Sequence, residues 1–312
     1  MEDRILGIHH ITAIAGDPQR NYDFYTKVLG QRFVKKTVNF DDPGTYHFYY
    51  GNETGAPGTI LTFFPWGKVR KGVNGIGMAT EIGYAIPESS VDFWKKRFEQ
   101  LSVEHSKIVE RFGELVLPFR DPDGLELKLI VPEKADLRSV WTTNEISENE
   151  ATKGFHSITL RVRNIEPTAK VLTDVFGYQL LKQEGSHYRF LTNAIEGAAI
   201  VDVIEDPTGA PGINAGGTNH HVAFRVKDDV TLMKFREKVL AHGLGITEKI
   251  DRNYFFSLYF REPGGVLFEI ASDNPGFAVD EEVGALGKHL KLPAQYESHR
   301  EVIEKHLPAL IQ

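Results

Sequence analysis

Two adjacent histidines occur twice in this chain, once near each end. The first pair is His9-His10 and the second is His220-His221, and each opens a short apolar run typical of a β-strand. A third apolar segment carries the lone carboxylate of Glu269. Two histidines and one carboxylate that converge from separate strands would form a facial triad with open coordination positions, which suits iron(II) sites that use O₂.

The composition is that of an ordinary globular chain and excludes several classes of protein. The chain has 312 residues, of which 25% are charged and 41% hydrophobic. The net charge of −7 gives no electrostatic reason to bind nucleic acid, and the absence of cysteine excludes disulfides and thiolate metal sites. No apolar run approaches the roughly 18 residues that span a bilayer, and no signal-peptide pattern is present. We therefore expect a cytoplasmic protein without nucleic-acid or membrane partners.

Four segments of the chain share one order of predicted elements, which is a strand, an amphipathic helix and three short strands. In the first segment, Tyr22, Tyr25 and Val28 fall on one face of a helix over residues 21–29, and Gly30 can serve as its C-cap. The closing turns of the second and fourth segments also match, since both contain proline followed by glycine. The chain therefore contains four predicted βαβββ modules, at residues 5–66, 76–132, 154–206 and 218–273.

The polar stretch between the second and third modules predicts a boundary. We expect a first region at residues 1–135, a linker at 136–153, a second region at 154–275 and a C-terminal tail at 276–312, with a helix from Tyr296 to Leu310.

Here the residues carry a resemblance to a known family. Repeated βαβββ modules with histidine on an opening strand and glutamate on a closing strand resemble the vicinal-oxygen-chelate superfamily, which includes glyoxalase I and the extradiol ring-cleaving dioxygenases. Within it, residues 9–14, 34–43 with Tyr46-His47, and 219–224 are similar to the hydroquinone-type ring-cleaving dioxygenases. The similarity covers nearly the whole chain except the tail.

This resemblance implies both a fold and an activity. The fold would be α+β, with the four modules forming two open, incomplete β-barrel domains followed by a helical tail. The activity would be insertion of O₂, as co-substrate, into a small aromatic diol at Fe(II). Mn(II) is an alternative metal because it also accepts imidazole and carboxylate ligands.

Strand alternation selects one histidine of each pair. His220 shares a face with apolar residues that should pack against the helix of its module, which leaves His221 on the concave face. The same rule selects His10 and Glu269. The resemblance implies the same three ligands.

Equivalent positions in the other strands cannot complete a second triad. Glu81 and Ser157 occupy opening strands, whereas Thr62 and Lys128 occupy closing strands. Because only the first and fourth modules carry ligands, we expect these two modules to pair around one metal, which leaves the second and third to pair with each other.

Several further residues could assist the chemistry. His9 and His220 adjoin the ligands and are candidates for proton transfer, although strict alternation points His220 away from the metal unless the start of its strand is irregular. The resemblance implies catalytic roles for Thr12, Arg252 and Tyr259. Arg252 has a counterpart in the second module and could instead serve the fold, whereas Tyr259 aligns with a proline and is not a fold requirement.

The remaining candidate residues are interpreted as structural or surface residues. Lys35 and Lys36 are expected on a solvated strand edge. His156 aligns with His9 and His220 and is interpreted as structural. The other histidines are expected at the surface, namely His47, His105, His187, His242, His289, His299 and His306.

Alternative functions stay open at this point. A catechol extradiol dioxygenase would use the same triad. A glyoxalase-like isomerase or hydrolase is the next candidate, although such sites usually have a fourth protein ligand, which Thr62 and Lys128 do not offer. A non-catalytic small-molecule binding protein is the third candidate. The oligomeric state is also open, and a homo-oligomer is among the possibilities.

Overall fold

Sixteen strands form two sheets of eight in the computed structural model, which describes residues 3–312. In chain order, the strands are β1 Ile8–Ala15, β2 Arg32–Asn39, β3 Asp42–Gly51, β4 Ile60–Pro65, β5 Met78–Ala85, β6 Val109–Arg111, β7 Glu114–Arg120, β8 Glu126–Val131, β9 Phe155–Val162, β10 Gln179–Glu184, β11 His187–Leu191, β12 Ile200–Glu205, β13 Thr218–Val226, β14 Ile250–Asp251, β15 Phe256–Arg261 and β16 Leu267–Ser272. The described α-helices are α1 Pro18–Asp23, α2 Val91–Gln100, α3 Ile165–Lys170, α4 Asp229–Ala241 and α5 Arg300–His306.

The strand order shows which modules share a sheet. One sheet runs β14-β15-β16-β13-β1-β4-β3-β2 and so combines the first and fourth modules, and the other runs β10-β11-β12-β9-β5-β8-β7-β6 and combines the second and third. In both sheets, two opening strands pair antiparallel at the centre, and a closing strand runs parallel to each of them. The expected α+β fold of two open half-barrels with a helical tail is confirmed.

The helix of the first module begins earlier than predicted and changes type along its length. It starts at Pro18, where the side chain of Asp17 caps it by accepting a hydrogen bond from the Arg20 amide, and it continues as a π-helix over Phe24–Val28. The third module repeats this arrangement. The wider π turn buries Phe24 as well as Tyr25 against the sheet.

Each pair of opening strands contains two β-bulges, which the sequence pattern did not predict. Between β1 and β13, Ile8 and His10 face consecutive residues of β13, which leaves His9 as an extra residue, and His220 is the extra residue on β13. A bulge interrupts the alternation of side chains. The strand is therefore irregular at His220, which is the condition under which this histidine was expected to face the metal side, and it lines the same cavity as the predicted ligand His221.

The C-terminal tail packs along β2 and corrects two expectations. Lys35 is fully buried instead of solvated, and its ammonium lies 2.6 Å from a carboxylate oxygen of Asp280 and 2.6 Å from one of Glu281. The expected helix from Tyr296 to Leu310 is shorter. It consists of a 3₁₀ segment, Ala294–His299, followed by α5, and it ends before Pro308 because the residue before proline disfavours helical backbone.

Residues 136–153 contain no helix or strand, yet they are tied to both sheets. The guanidinium of Arg138 donates to the carbonyls of Gly58 and Phe155. The boundaries of the two sequence regions stay a prediction. None of the helices within residues 3–312 combines the length and the apolar character that crossing a bilayer requires.

Two buried carboxylates join the sheets at equivalent turns. Asp121, after β7, accepts hydrogen bonds from its own turn and from the Tyr25 hydroxyl at 3.1 Å. Glu262, after β15, accepts from its own turn and from the Thr168 hydroxyl at 2.7 Å. Each turn therefore binds a helical residue that packs on the other sheet. Burial raises the pKa of Asp121 to about 7 and also raises that of Glu262.

The pKa of Asp121 makes stability depend on pH. The folded protein retains a proton up to about pH 7, whereas an unfolded aspartate releases it near its ordinary pKa of 3.8. The contribution to the free energy of unfolding is therefore fully present below that ordinary pKa and is lost as the pH rises towards 7. We expect Asp121→Asn to flatten this decline, as measured by urea unfolding between pH 4 and pH 8. An unchanged slope in the variant would contradict the assignment.

Candidate metal centre and active site

Three strands at the centre of the first sheet bring together the predicted ligands. His10 lies on β1, His221 on β13 and Glu269 on β16. The antiparallel pairing of β1 with β13 sets Thr12 opposite His221, and the parallel pairing of β13 with β16 sets Ala223 beside Glu269. As a result, one nitrogen of each histidine and one oxygen of the glutamate lie within 4.8 Å of one another.

The geometry and charge of this cluster favour a cation. Glu269 is fully buried, and its Oε2 lies 3.2 Å from His10 Nε2 and 2.9 Å from His221 Nε2. Its other oxygen accepts a hydrogen bond from the Ser257 hydroxyl. Burial opposes ionisation of Glu269, but the two histidines outweigh burial and hold its pKa well below the ordinary value. Burial lowers the pKa of His221.

His9 and His220, the extra residues at the two bulges, contact the ring nitrogens of the predicted ligands and so bear on whether the site suits a metal. His9 Nδ1 lies 2.9 Å from His10 Nδ1, and His220 Nδ1 lies 2.8 Å from His221 Nδ1. With each ligand ring donating through Nδ1, its Nε2 offers a lone pair towards Glu269. Among the described residues, Glu269 Oε2 has no hydrogen-bond donor. Three converging acceptor atoms are stable together around a cation, so the donor set fits a divalent metal.

A cavity of about 350 Å³ opens over His10 and His221. Phe64, Trp66 and Phe255 supply aromatic walls. Polar side chains also line it, and beside the two histidines these are Thr12, Asn39, Asp41, His47, Tyr49, His220, Arg252 and Tyr259. The cavity can therefore receive a flat aromatic molecule and offer hydrogen bonds at its edges.

The two bulged histidines differ in their access to this cavity. His220 lines the cavity, and burial lowers its pKa to about 3, so its ring is neutral at physiological pH. His9 is buried behind His10, with its ring centre 5.2 Å from that of Phe255, and it does not line the cavity. Only His220 of this pair can therefore meet a molecule in the cavity.

Arg252 and Tyr259 lie together at the cavity wall. The guanidinium of Arg252 lies 5.4 Å from the centre of the Tyr259 ring and 3.7 Å from a carboxylate oxygen of Asp41. The Tyr259 ring lies 5.6 Å from that of His221. Burial raises the pKa of Tyr259, so its hydroxyl stays protonated and can donate.

His47 is one of the cavity residues that the sequence prediction missed, since it was expected at the surface. On β3, Tyr46, Phe48 and Tyr50 are buried in the core, so His47 and Tyr49 take the opposite face. The alternation rule that selected the metal ligands would have placed His47 in the cavity if it had been applied to this strand.

In the second sheet, the position equivalent to Glu269 carries a positive side chain instead of a negative one. Lys128 pairs with Pro118 as Glu269 pairs with Tyr259, so its ammonium takes the place of a ligand carboxylate. That ammonium lies 3.1 Å from Glu81, 2.8 Å from the Thr159 hydroxyl and 3.9 Å from Asp202. A cavity of about 280 Å³ adjoins it, with Arg111 on its wall. Lys128 thus supplies the positive charge that a metal would supply in the first sheet.

Comparison with known families agrees with this architecture. The family model described as Glyoxalase/Bleomycin resistance protein/Dioxygenase superfamily matches residues 7–129 and 154–270. The chain therefore belongs to this superfamily.

Particular relatives narrow the class. The chain is 46% identical over 307 residues to MhqO of Bacillus subtilis (strain 168), which carries the provisional name of a ring-cleaving dioxygenase, and the match covers 98% of this chain and 97% of MhqO. It is 35% identical over 310 residues to the chlorohydroquinone/hydroquinone 1,2-dioxygenase of Sphingobium indicum, covering 95% of this chain and 94% of that enzyme.

Solved structures of the same superfamily have a similar fold. A crystal structure of a provisionally named dioxygenase from Bacillus subtilis matches with a TM-score of 0.95 at 44% identity, and 99% of both chains is covered. Glyoxalase I from Zea mays matches with a TM-score of 0.65 at 14% identity, covering 92% of this chain and 98% of that enzyme, which shows a shared fold alone.

Removing any of the three ligand side chains should remove the metal without unfolding the protein. We expect His10→Ala, His221→Ala and Glu269→Ala each to lose bound metal, measured as the metal-to-protein ratio after reconstitution, while the circular dichroism spectrum is retained. Ser157→Ala is the matched control, because Ser157 holds the position of His10 in the second sheet. A normal metal ratio in one of the three variants would exclude that residue as a ligand.

Proposed function

We propose that this protein is an iron(II)-dependent, extradiol-type dioxygenase that opens the ring of a hydroquinone-like diol with O₂. The observation that carries the proposal is the buried triad of His10, His221 and Glu269 beneath a cavity with aromatic walls. Similarity across 95% of the chain to a chlorohydroquinone/hydroquinone 1,2-dioxygenase supports the substrate class. Mn(II) is the alternative metal, since its ligand preferences overlap those of Fe(II).

The chemistry divides between the metal and the chain. Iron(II) held by the triad would supply a Lewis-acidic position for a phenol oxygen and a means of activating O₂. The chain orients the diol between Phe64, Trp66 and Phe255, excludes bulk water from the buried ligands and provides groups that hold or move protons.

The second hydroxyl of the substrate requires its own partner. A catechol can chelate a metal through two adjacent oxygens, whereas a hydroquinone can bind through only one. The remote hydroxyl of a hydroquinone must therefore be held by protein. We assign Arg252 and Tyr259 to this task, because both line the cavity and both present donors.

Proton transfer is assigned to His220 and ligand positioning to His9. His220 lines the cavity, so its imidazole can exchange a proton with a phenol whose acidity a bound cation would raise. His9 does not line the cavity, and its contact with His10 Nδ1 sets the orientation of that ligand.

A glyoxalase-like isomerase is disfavoured by the fourth position of the site. That position is held by Thr62, which hydrogen-bonds to Thr12 and His47 and offers no metal-ligating carboxylate. A purely binding function is disfavoured by the complete triad.

Oxygen consumption distinguishes these possibilities. The protein would be reconstituted with Fe(II) without oxygen and then assayed with an oxygen electrode on hydroquinone, chlorohydroquinone, methylhydroquinone and catechol. Uptake with the para-diols is expected. Rapid cleavage of catechol without turnover of any hydroquinone would overturn the substrate class but keep the dioxygenase, whereas stoichiometric diol binding without uptake would indicate a binding protein.

Loss of a group that holds the remote hydroxyl should weaken turnover of hydroquinone. We expect Arg252→Met or Tyr259→Phe to lower kcat/KM. The drop should correspond to a loss of about 1–3 kcal/mol of transition-state stabilisation, which is the cost of one hydrogen bond to a charged or buried group. Arg111→Met, at the equivalent position of the second sheet, is the control and should have no effect. Unchanged kinetics in both active-site variants would remove them from substrate binding.

Replacement of His220 and replacement of His9 should change different quantities. We expect His220→Gln to lower kcat per bound iron by roughly 10²-fold or more, because it removes an acid–base group. His9→Gln should instead weaken iron binding by roughly 10–100-fold and leave the activity per bound iron largely intact. Thr80→Val, at the position of His220 in the second sheet, is the matched control. Equal effects of both histidine variants on kcat would refute the division of roles.

A further inference from the structure

A chain of hydrogen bonds runs along the cavity wall from Thr12 to Tyr49. The Thr62 hydroxyl donates to Thr12 Oγ1 at 3.0 Å, and His47 Nε2 lies 2.8 Å from Thr62 Oγ1. The Tyr49 hydroxyl lies 3.0 Å from His47 Nδ1. None of these four residues is a metal ligand in the site described above.

Strand register builds this chain. Thr62 of β4 lies beside Thr12 in the parallel β1–β4 pair and opposite Tyr49 in the antiparallel β3–β4 pair. His47 is two residues before Tyr49, so both side chains take the same face. The His47 ring packs between those of Tyr49 and Phe64, with centroid distances of 4.2 and 4.4 Å. The imidazole is therefore held in one orientation by packing as well as by hydrogen bonds.

The donors in this chain can be ordered. Tyr49 and Thr62 are almost fully buried, and burial raises the pKa of the Tyr49 phenol and lowers that of His47, so both are neutral. A neutral imidazole has one acceptor and one donor nitrogen. When Tyr49 donates to Nδ1, Nε2 carries the proton and donates to Thr62, which in turn donates to Thr12. The hydrogen of Thr12 then remains available to the cavity.

We propose that Tyr49, His47 and Thr62 form a positioning relay that presents the Thr12 hydroxyl as a hydrogen-bond donor to an oxygen of the diol. Thr12 lies opposite His221 and two residues from His10, so its hydroxyl belongs to the metal end of the cavity. His47 is thus a positioning residue that acts through Thr62 and Thr12. This inference rests on the proposed function for the identity of the diol and for the kinetic test, whereas the order of donors within the relay does not depend on it.

The proton position on His47 is measurable without turnover. In metal-free protein labelled with ¹⁵N, two-bond ¹H–¹⁵N correlation spectra distinguish the two imidazole tautomers, and loss of signals in His47→Gln assigns those of His47. The relay requires the Nε2–H tautomer in the wild-type protein and a shift towards Nδ1–H in Tyr49→Phe. The proposal would be overturned by an Nδ1–H tautomer in the wild-type protein. It would also be overturned if the tautomer were the same in Tyr49→Phe as in the wild type.

The kinetic test uses variants that remove single links. Thr62→Val and His47→Phe keep the side-chain shape, so each should lower kcat for hydroquinone on the order of 10-fold, with KM and bound iron unchanged. Glutamine at position 47 can still donate to Thr62, so His47→Gln should lose less activity than His47→Phe. The double variant His47→Phe/Thr62→Val should be no slower than either single variant, because both act through Thr12.

A matched control and the contrary results complete the design. Tyr50→Phe removes a buried hydroxyl of the same strand, which donates to Asn21 at 2.9 Å, and should leave kcat unchanged. Full activity in Thr62→Val, or multiplicative losses in the double variant, would refute the relay. If the wild-type enzyme turned over no diol, the proposed function would fall, and the tautomer measurement would still decide the relay.

Discussion

The fully buried carboxylate of Glu269 is the constraint around which the first sheet is organised. An ionised carboxylate without partners is costly to bury, and this one accepts a hydrogen bond from the Ser257 hydroxyl on one oxygen while its other oxygen faces two imidazole nitrogens. Ser257 and His221 belong to the same module as Glu269, but His10 comes from the other end of the chain. The groups that converge on Glu269 are therefore together only when β1 has paired with β13, so assembly of the site and closure of the sheet are one event. A bound divalent metal would favour that closed state further.

The second sheet shows how the same architecture is stabilised without a metal. Its opening and closing strands follow the same register, yet Lys128 stands at the position of Glu269, and Glu81 and Asp202 flank its ammonium. Both sheets thus concentrate acceptor atoms at the point where the central strands meet, and both require a positive charge there. Lysine supplies that charge covalently in one sheet. In the other sheet, no described side chain takes that place, which is the physical basis for proposing a metal there.

The sequence allowed prediction of what depends on strand periodicity, and little beyond it. Alternation alone placed His10, His221 and Glu269 on one face, and the structure brings these side chains together. The orientation of His220 stayed open because a bulge adds one residue and resets the alternation, and nothing local in the sequence marks that residue. The burial of Lys35 was missed for a different reason, since its partners Asp280 and Glu281 lie in the tail, far along the chain. Periodicity reports the face of a strand but not what later covers it.

That covering tail also shapes the active site. Phe277 stacks on Tyr254 and packs against Tyr49, with centroid distances of 5.0 and 5.1 Å. Tyr254 belongs to the turn that carries Arg252 into the cavity, and Tyr296 donates to the carbonyl of Phe40 on the cavity rim at 2.7 Å. The tail therefore supports both the wall that holds His47 and Tyr49 and the turn that holds Arg252. In the proposed function these groups meet a substrate at defined distances, so the tail would take part in the precision of the site although none of its residues lines the cavity.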